Sequence, residues 1–133
     1  MLIRRLFICF VAALLVACGA DGEPGEPTMA KIEGTVFYRE RIALPPNAVV
    51  EIQLEDVSRA DALATIMAVV TLNSAGGPPY AFSIEYDTSQ IDERMTYALR
   101  ASIRVEDKLM FTTMDYTDPF SGNPVSVMVR RVP

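Results

Sequence analysis

Apolar and polar residues alternate along most of the chain after residue 29, and this period of two limits the possible folds more than any other feature. In Tyr97–Val105, for example, every second residue is apolar. Such alternation is typical of antiparallel strands that pack one face on a core. Further runs of this kind, or of mostly apolar residues, occupy 31–38, 50–55, 65–72, 80–87, 108–114 and 125–132. About seven short strands in about 100 residues predict an all-β fold, an immunoglobulin-like antiparallel β-sandwich.

Several local signals refine this prediction. Glu106-Asp107 leaves two residues between strands, which indicates a tight hairpin. Thr65–Leu72 is apolar on both faces and predicts a covered strand, although Ala60–Met67 could instead form a helical turn. Tyr97 opens its strand after a polar corner, and we expect its hydroxyl to hydrogen bond back to that corner.

The first 17 residues have the layout of a secretion signal that ends at a lipid attachment site. Two arginines precede the apolar run Leu6–Val16, which is too short to span a bilayer core, since that requires about 20 residues. Leu15-Val16-Ala17-Cys18 resembles the lipobox of bacterial lipoproteins, in which the chain is cut before the cysteine and the sulfur then carries a diacylglycerol. Cys9 lacks the small residue that this cleavage pattern requires. A short N-terminal anchor helix or a buried strand is the alternative.

The leader implies a division of the chain into a signal peptide at 1–17, a lipidated Cys18 with a flexible tether at 18–30, and a β-sandwich domain at 31–133. Ten flexible residues, Gly19–Thr28, span roughly 18 Å and at most about 35 Å. More than one acyl chain gives stable anchoring, so we expect the domain to stay at a membrane. Gly19, rather than aspartate, follows the cysteine. By similarity to enterobacterial lipoproteins this indicates the outer membrane, with the domain in the periplasm.

The composition argues against several classes of function. Loss of two leader arginines would change the formal net charge from −5 to −7, which disfavours nucleic acid as a partner. The chain contains no histidine, the usual general base and the commonest metal ligand. With Cys9 removed and Cys18 acylated, neither a free thiol nor a disulfide would remain. We therefore predict that the protein is not an enzyme and has no metal site and no cofactor.

Two groups of carboxylates keep an alternative open. Glu51, Glu55 and Asp56 share a strand, but Glu51 and Glu55 should lie about 13 Å apart. This exceeds the spacing of a glycosidase pair unless another strand contributes, so a solvated outer face is the simpler interpretation. The loop Asp115–Asn123 offers oxygen ligands for calcium, but it does not match a binding loop and is predicted to be a plain turn. The alternative function is an envelope glycan-binding protein or a carboxylate-dependent glycan hydrolase.

The segment Gly34–Asp61 (GTVFYRERIALPPNAVVEIQLEDVSRAD) resembles the YbaY-like lipoprotein family. Similarity in Phe82–Asp87, Ile91–Ala101 and Lys108–Thr113 extends this resemblance over nearly all of residues 31–131. The family is grouped with the YscW-type pilotins, lipoproteins that assist outer-membrane assembly of type III secretion secretins. The resemblance implies a lipid-anchored β-sandwich with a binding or chaperone role toward an outer-membrane protein, and it implies no catalytic residue.

Two features are candidates for contact with such a partner. The terminal strands, Met29–Arg39 and Val125–Arg131, are predicted to leave exposed sheet edges that can accept a partner strand. Arg39, Arg41 and Arg59 are the candidate contact patch within the family-like segment. The alternative is that these arginines pair on the surface with Glu40, Asp56 or Asp61.

Overall fold

The computed structural model describes residues 28–133, which form two sheets around one core. The all-β prediction is confirmed, and the last predicted strand divides at Val129 into two. The elements are β1 (Met29–Phe37), β2 (Ala48–Asp56), β3 (Thr65–Asn73), β4 (Tyr80–Asp87), a 3₁₀ turn (Thr88–Gln90), β5 (Tyr97–Val105), β6 (Lys108–Thr112), β7 (Val125–Met128) and β8 (Arg130–Arg131).

The strand order is β4-β1-β7 in the smaller sheet and β3-β2-β5-β6-β8 in the larger one. Neighbours are antiparallel, except that β1 and β7 run parallel, which corrects the purely antiparallel expectation. Because β1 pairs on both sides, Met29–Arg39 is not the exposed edge that we predicted. The C-terminal segment does lie at edges, with β7 in one sheet and β8 in the other. The immunoglobulin-like type of the sandwich stays a prediction.

One hydrophobic core joins the two sheets in the described part of the chain. Its buried residues come from both sheets and all lie between Ile32 and Val129. Tyr38, which follows β1, stacks on Phe111 of β6 with ring centroids 4.7 Å apart. Val129, where the chain crosses between sheets, donates its amide to the Phe37 carbonyl at 2.9 Å. Within the described residues, these contacts join the two sheets across the core.

Two of the local predictions are confirmed. Glu106 and Asp107 form the β5–β6 hairpin with φ of 51° and 66°, the left-handed conformation that a two-residue turn of this kind requires. The Tyr97 hydroxyl accepts a hydrogen bond from the Asp92 amide at 2.8 Å, so it fixes the corner that precedes β5.

The interpretation of residues 60–72 needs correction. Thr65–Leu72 lies in an edge strand, β3, which pairs only with β2 among the described strands. Ile66 and Val69 are 53% and 50% exposed, so this strand is not covered on both faces. The helical alternative is also wrong, because β3 begins at Thr65.

The first described strand, β1, begins at Met29, where the alternation of apolar and polar residues also begins. The signal peptide and Cys18 lie outside the described residues.

Candidate functional site

Three loops meet at one end of the molecule, which we call the Met29 end. β1 begins there opposite the end of β4, and β2 ends there opposite the start of β5. Phe120 contacts one ring in each sheet, with centroids 6.0 Å from Tyr86 and 6.2 Å from Tyr97. The loops 57–64, 91–96 and 113–124 therefore lie together, beside the residue where the chain from Cys18 enters the domain.

Exposed apolar side chains are concentrated at the Met29 end. Of ten large hydrophobic side chains exposed in the described part of the chain, seven lie there. Leu63 is 96% exposed, which is unusual for leucine. The seven are Met29, Leu63, Ile66, Met95, Met114, Tyr116 and Phe120. Because apolar patches on soluble domains mark interaction sites, this asymmetry indicates a binding surface.

Five of these side chains form a concave area, which we call the Leu63 surface: Leu63, Met95, Met114, Tyr116 and Phe120. They line three adjoining cavities of about 360, 510 and 480 Å³. Tyr116, Leu63 and Met95 each line two of these cavities, so the three cavities are continuous. Methionine and aromatic side chains adapt to, and pack well against, apolar partners.

Hydrogen bonds hold the aromatic part of this surface in place. The Tyr116 hydroxyl donates to the Tyr97 carbonyl at 2.8 Å, and Leu99 donates its amide to the Thr117 carbonyl at 3.0 Å. Asp118 accepts from the Phe120 amide at 2.9 Å, which turns the chain toward the smaller sheet. The surface is therefore largely formed before any partner binds, and a preformed surface binds at lower entropic cost.

The loop that carries Leu63 is fixed at its base. Val57 donates its amide to the Thr96 carbonyl at 2.9 Å, and Thr96 donates its own amide to the Ser58 hydroxyl at 2.9 Å. Ser58 donates its hydroxyl and its amide to Asp56, and these two bonds lower the pKa of that carboxyl. The loop thus projects Leu63 from a rigid base.

Glu55 is the unusual polar group of this region. It lines the 510 Å³ cavity and a second one of about 180 Å³ on the outer face of the larger sheet, yet only 6% of the residue is exposed. Its Oε1 has no hydrogen-bond partner among the described residues, and Arg100 Nε lies 3.8 Å away. Burial raises the pKa of Glu55, and the charge of Arg100 opposes this effect. The expectation of a solvated carboxylate is wrong here, because Ile66 and Ala98 flank Glu55 in the neighbouring strands.

Glu55→Gln is expected to stabilise the fold at pH 7 by about 1 kcal/mol, since it removes a buried charge that lacks a hydrogen bond. The raised pKa means that Glu55 favours folding below its unfolded pKa and loses this contribution as the pH rises through its folded pKa. The gain should therefore disappear at pH values below the ordinary glutamate pKa. Urea unfolding of wild type and variant at neutral and acidic pH measures this, with exposed Glu85→Gln as the control. A stability gain that is equal at both pH values would contradict the assignment.

The structure does not bring the three candidate arginines together. Arg39 and Arg41 follow β1 at the far end of the molecule, whereas Arg59 follows β2 at the Met29 end and lines the Leu63 surface. A single patch of all three is therefore excluded. None of them forms an ion pair with Glu40, Asp56 or Asp61 within the described residues.

The carboxylates considered for catalysis or calcium have other roles. Glu55 faces a cation, Arg100, rather than a second carboxylate from β5. Asp115 pairs with Arg130 at 3.0 Å, and Asp118 closes its own turn. Residues 28–133 contain no group of three or more acidic or cysteine side chains placed to hold a metal ion. Within the same range, no helix has the length and hydropathy of a membrane span.

Sequence reasoning missed the Leu63 surface because its members lie in three separate turns. Met95 and Tyr116 are single large residues between polar neighbours, and Leu63 lies between two alanines. That was the only signal in the sequence, and it does not show which turns meet. Only the strand order brings them together.

A β-rich domain with a preformed apolar surface belongs to the class of binding modules. Comparison with known proteins identifies its family. The profile of the type III secretion system lipoprotein chaperone family (YscW) matches residues 27–129. The chain belongs to this family.

Two relatives support the assignment. The chain is 35% identical over 83 residues to the uncharacterized lipoprotein YbaY of Escherichia coli K12, an alignment that covers 62% of this chain and 44% of YbaY. It thus spans less than half of that relative. The structure also matches an alternative pilotin from the type II secretion system of Vibrio cholerae, with a TM-score of 0.73 and 40% identity over 80% of this chain and 99% of that one. This match covers nearly all of the solved pilotin chain, so in that relative a chain of this extent forms a folded unit.

Proposed function

We propose that this protein is a non-catalytic chaperone lipoprotein of the bacterial envelope, attached through Cys18 to the outer membrane with its domain in the periplasm. Its client is an outer-membrane protein of a secretion system, bound in the manner of a pilotin. The family match and the pilotin-like structure support the chaperone class.

The observation that carries the proposal is the position of the Leu63 surface. Among residues 28–133, seven of the ten exposed large apolar side chains lie at the end where the chain enters from Cys18. A tether of Gly19–Thr28 reaches at most about 35 Å. A client segment held on this surface therefore stays close to the membrane into which the client assembles.

The chemistry of the surface suits an apolar protein segment better than a sugar. The exposed side chains of Leu63, Met95 and Met114 present hydrocarbon and thioether, and the charged groups that line the same cavities surround this apolar area. An apolar client segment would bury these side chains, and each square ångström removed from water contributes about 25 cal/mol. The surface thereby shields the client from aggregation until it inserts.

Replacing Leu63 and Met114 together by aspartate is expected to weaken client binding by about 30-fold or more, because it places charges in the centre of the apolar area. The measurement is co-purification from detergent-solubilised envelopes of the native host, with the captured outer-membrane protein identified by mass spectrometry. Both positions are exposed, so the fold should persist, and circular dichroism checks this.

Ile42→Asp is the matched control, since Ile42 is 40% exposed but lies in the loop after β1 at the opposite end. It should leave capture unchanged. Loss of capture in Ile42→Asp with retention in the double variant would contradict the proposed surface. Selective retention of the protein on peptidoglycan instead would favour the glycan-binding alternative.

A further inference from the structure

The carboxylate oxygen Oε1 of Glu55 accepts no hydrogen bond from the described residues. Its cross-strand neighbours, Ile66 and Ala98, offer no side-chain donor. Gln53 donates its amide to Glu51 at 2.7 Å and is thus engaged elsewhere. The remaining candidate, Arg100, lies beyond hydrogen-bond distance, with its Nε 3.8 Å from Oε1 and its side chain 58% exposed.

The charges around the three cavities of the Leu63 surface have one predominant sign. Six carboxylates line them, together with two guanidinium groups, Arg59 and Arg100. Two further arginines pair with these carboxylates, Arg94 with Asp92 and Arg130 with Asp115, so the acidic excess is two charges. The carboxylates are Glu55, Asp56, Asp92, Glu93, Asp115 and Asp118. An apolar floor with an acidic rim is complementary to a segment that is apolar on one side and basic on the other.

We propose that the segment bound by the Leu63 surface is amphipathic and basic, and that Glu55 is the buried acceptor for one of its lysine or arginine side chains. The inference rests on the proposed function and adds the chemical class of the client segment. On binding, the incoming cation supplies the hydrogen bond that Glu55 lacks, and the surrounding apolar contacts exclude water from the pair. A charged hydrogen bond formed in such a site is stronger than one at an open surface.

The test uses residues 28–133 and two fluorescent amphipathic peptides of equal length and identical apolar face. One peptide has lysine and the other glutamine at every polar position. Fluorescence anisotropy at physiological salt should show wild type binding the lysine peptide about tenfold more tightly than the glutamine peptide. Glu55→Gln should remove most of this preference by weakening lysine-peptide binding alone.

Glu85→Gln is the control that distinguishes a local role of Glu55 from an effect of the net charge on peptide binding. Glu85 is exposed on β4 in the other sheet, so its removal changes the net charge equally but should leave both affinities as in wild type. If both variants weaken lysine-peptide binding equally, the preference for this peptide arises from long-range attraction to the net charge. That result would overturn the role of Glu55. Equal binding of both peptides by wild type would overturn the basic class of the segment, while the proposed apolar binding would stand. Binding of either peptide that survives the Leu63 and Met114 double variant would instead contradict the surface itself.

Discussion

Gly34→Ala is expected to lower the free energy of unfolding by about 3 kcal/mol, the upper part of the range for overpacking. Gly34 lies in β1 between Phe82 of β4 and Val125 of β7. A Cβ at this position would overlap the Val125 carbonyl oxygen and lie 2.8 Å from Phe82 Cζ. Because the carbonyl belongs to the backbone of a paired strand, it cannot move without breaking the parallel β1–β7 ladder.

Thermal unfolding should show the effect as a fall in Tm of about 12 °C for a domain of this size. Gly122→Ala is the matched control, since the nearest atom to its added Cβ is the Pro124 carbonyl at 3.7 Å, an ordinary contact. It should change Tm little. Unchanged stability in Gly34→Ala would mean that β7 does not pair with β1 as described.

Cys18→Ala is expected to abolish membrane attachment through lipid, the largest functional effect that we predict. The variant lacks the sulfur that we propose accepts the diacylglycerol, so the leader should remain uncleaved and the precursor should incorporate no labelled palmitate. Without acyl chains, the stable anchoring that they provide is lost. Palmitate labelling and the mass of the intact product measure both changes.

Cys9→Ala provides the control, because it removes the other cysteine of the chain and leaves the Leu15–Cys18 pattern intact. It should be processed and labelled like wild type. Palmitate incorporated equally into Cys18→Ala would contradict the lipidation site, and with it the proposed outer-membrane localisation. It would not affect the Leu63 surface, which the double aspartate variant tests separately.

The alternation of side chains was sufficient to predict the strands, because a strand buried on one face must place an apolar residue at every second position. Tyr97, Leu99, Ala101 and Ile103 are buried as this rule requires. The hairpin at Glu106-Asp107 was also predictable, since a two-residue connection leaves few backbone conformations. The resemblance of Gly34–Asp61 to a known family indicated the chaperone class from the residues alone.

The strand order and the candidate site depended on the tertiary structure. Local sequence does not specify which strands become neighbours, so β1 was expected at an edge and lies in the centre of its sheet. The same limitation hid the burial of Glu55, which depends on Ile66 and Ala98 from two other strands. Periodicity thus determined the elements of this protein, because it acts along the chain. The meeting of Leu63, Met95 and Tyr116 was decided only by packing, which acts between segments distant in sequence.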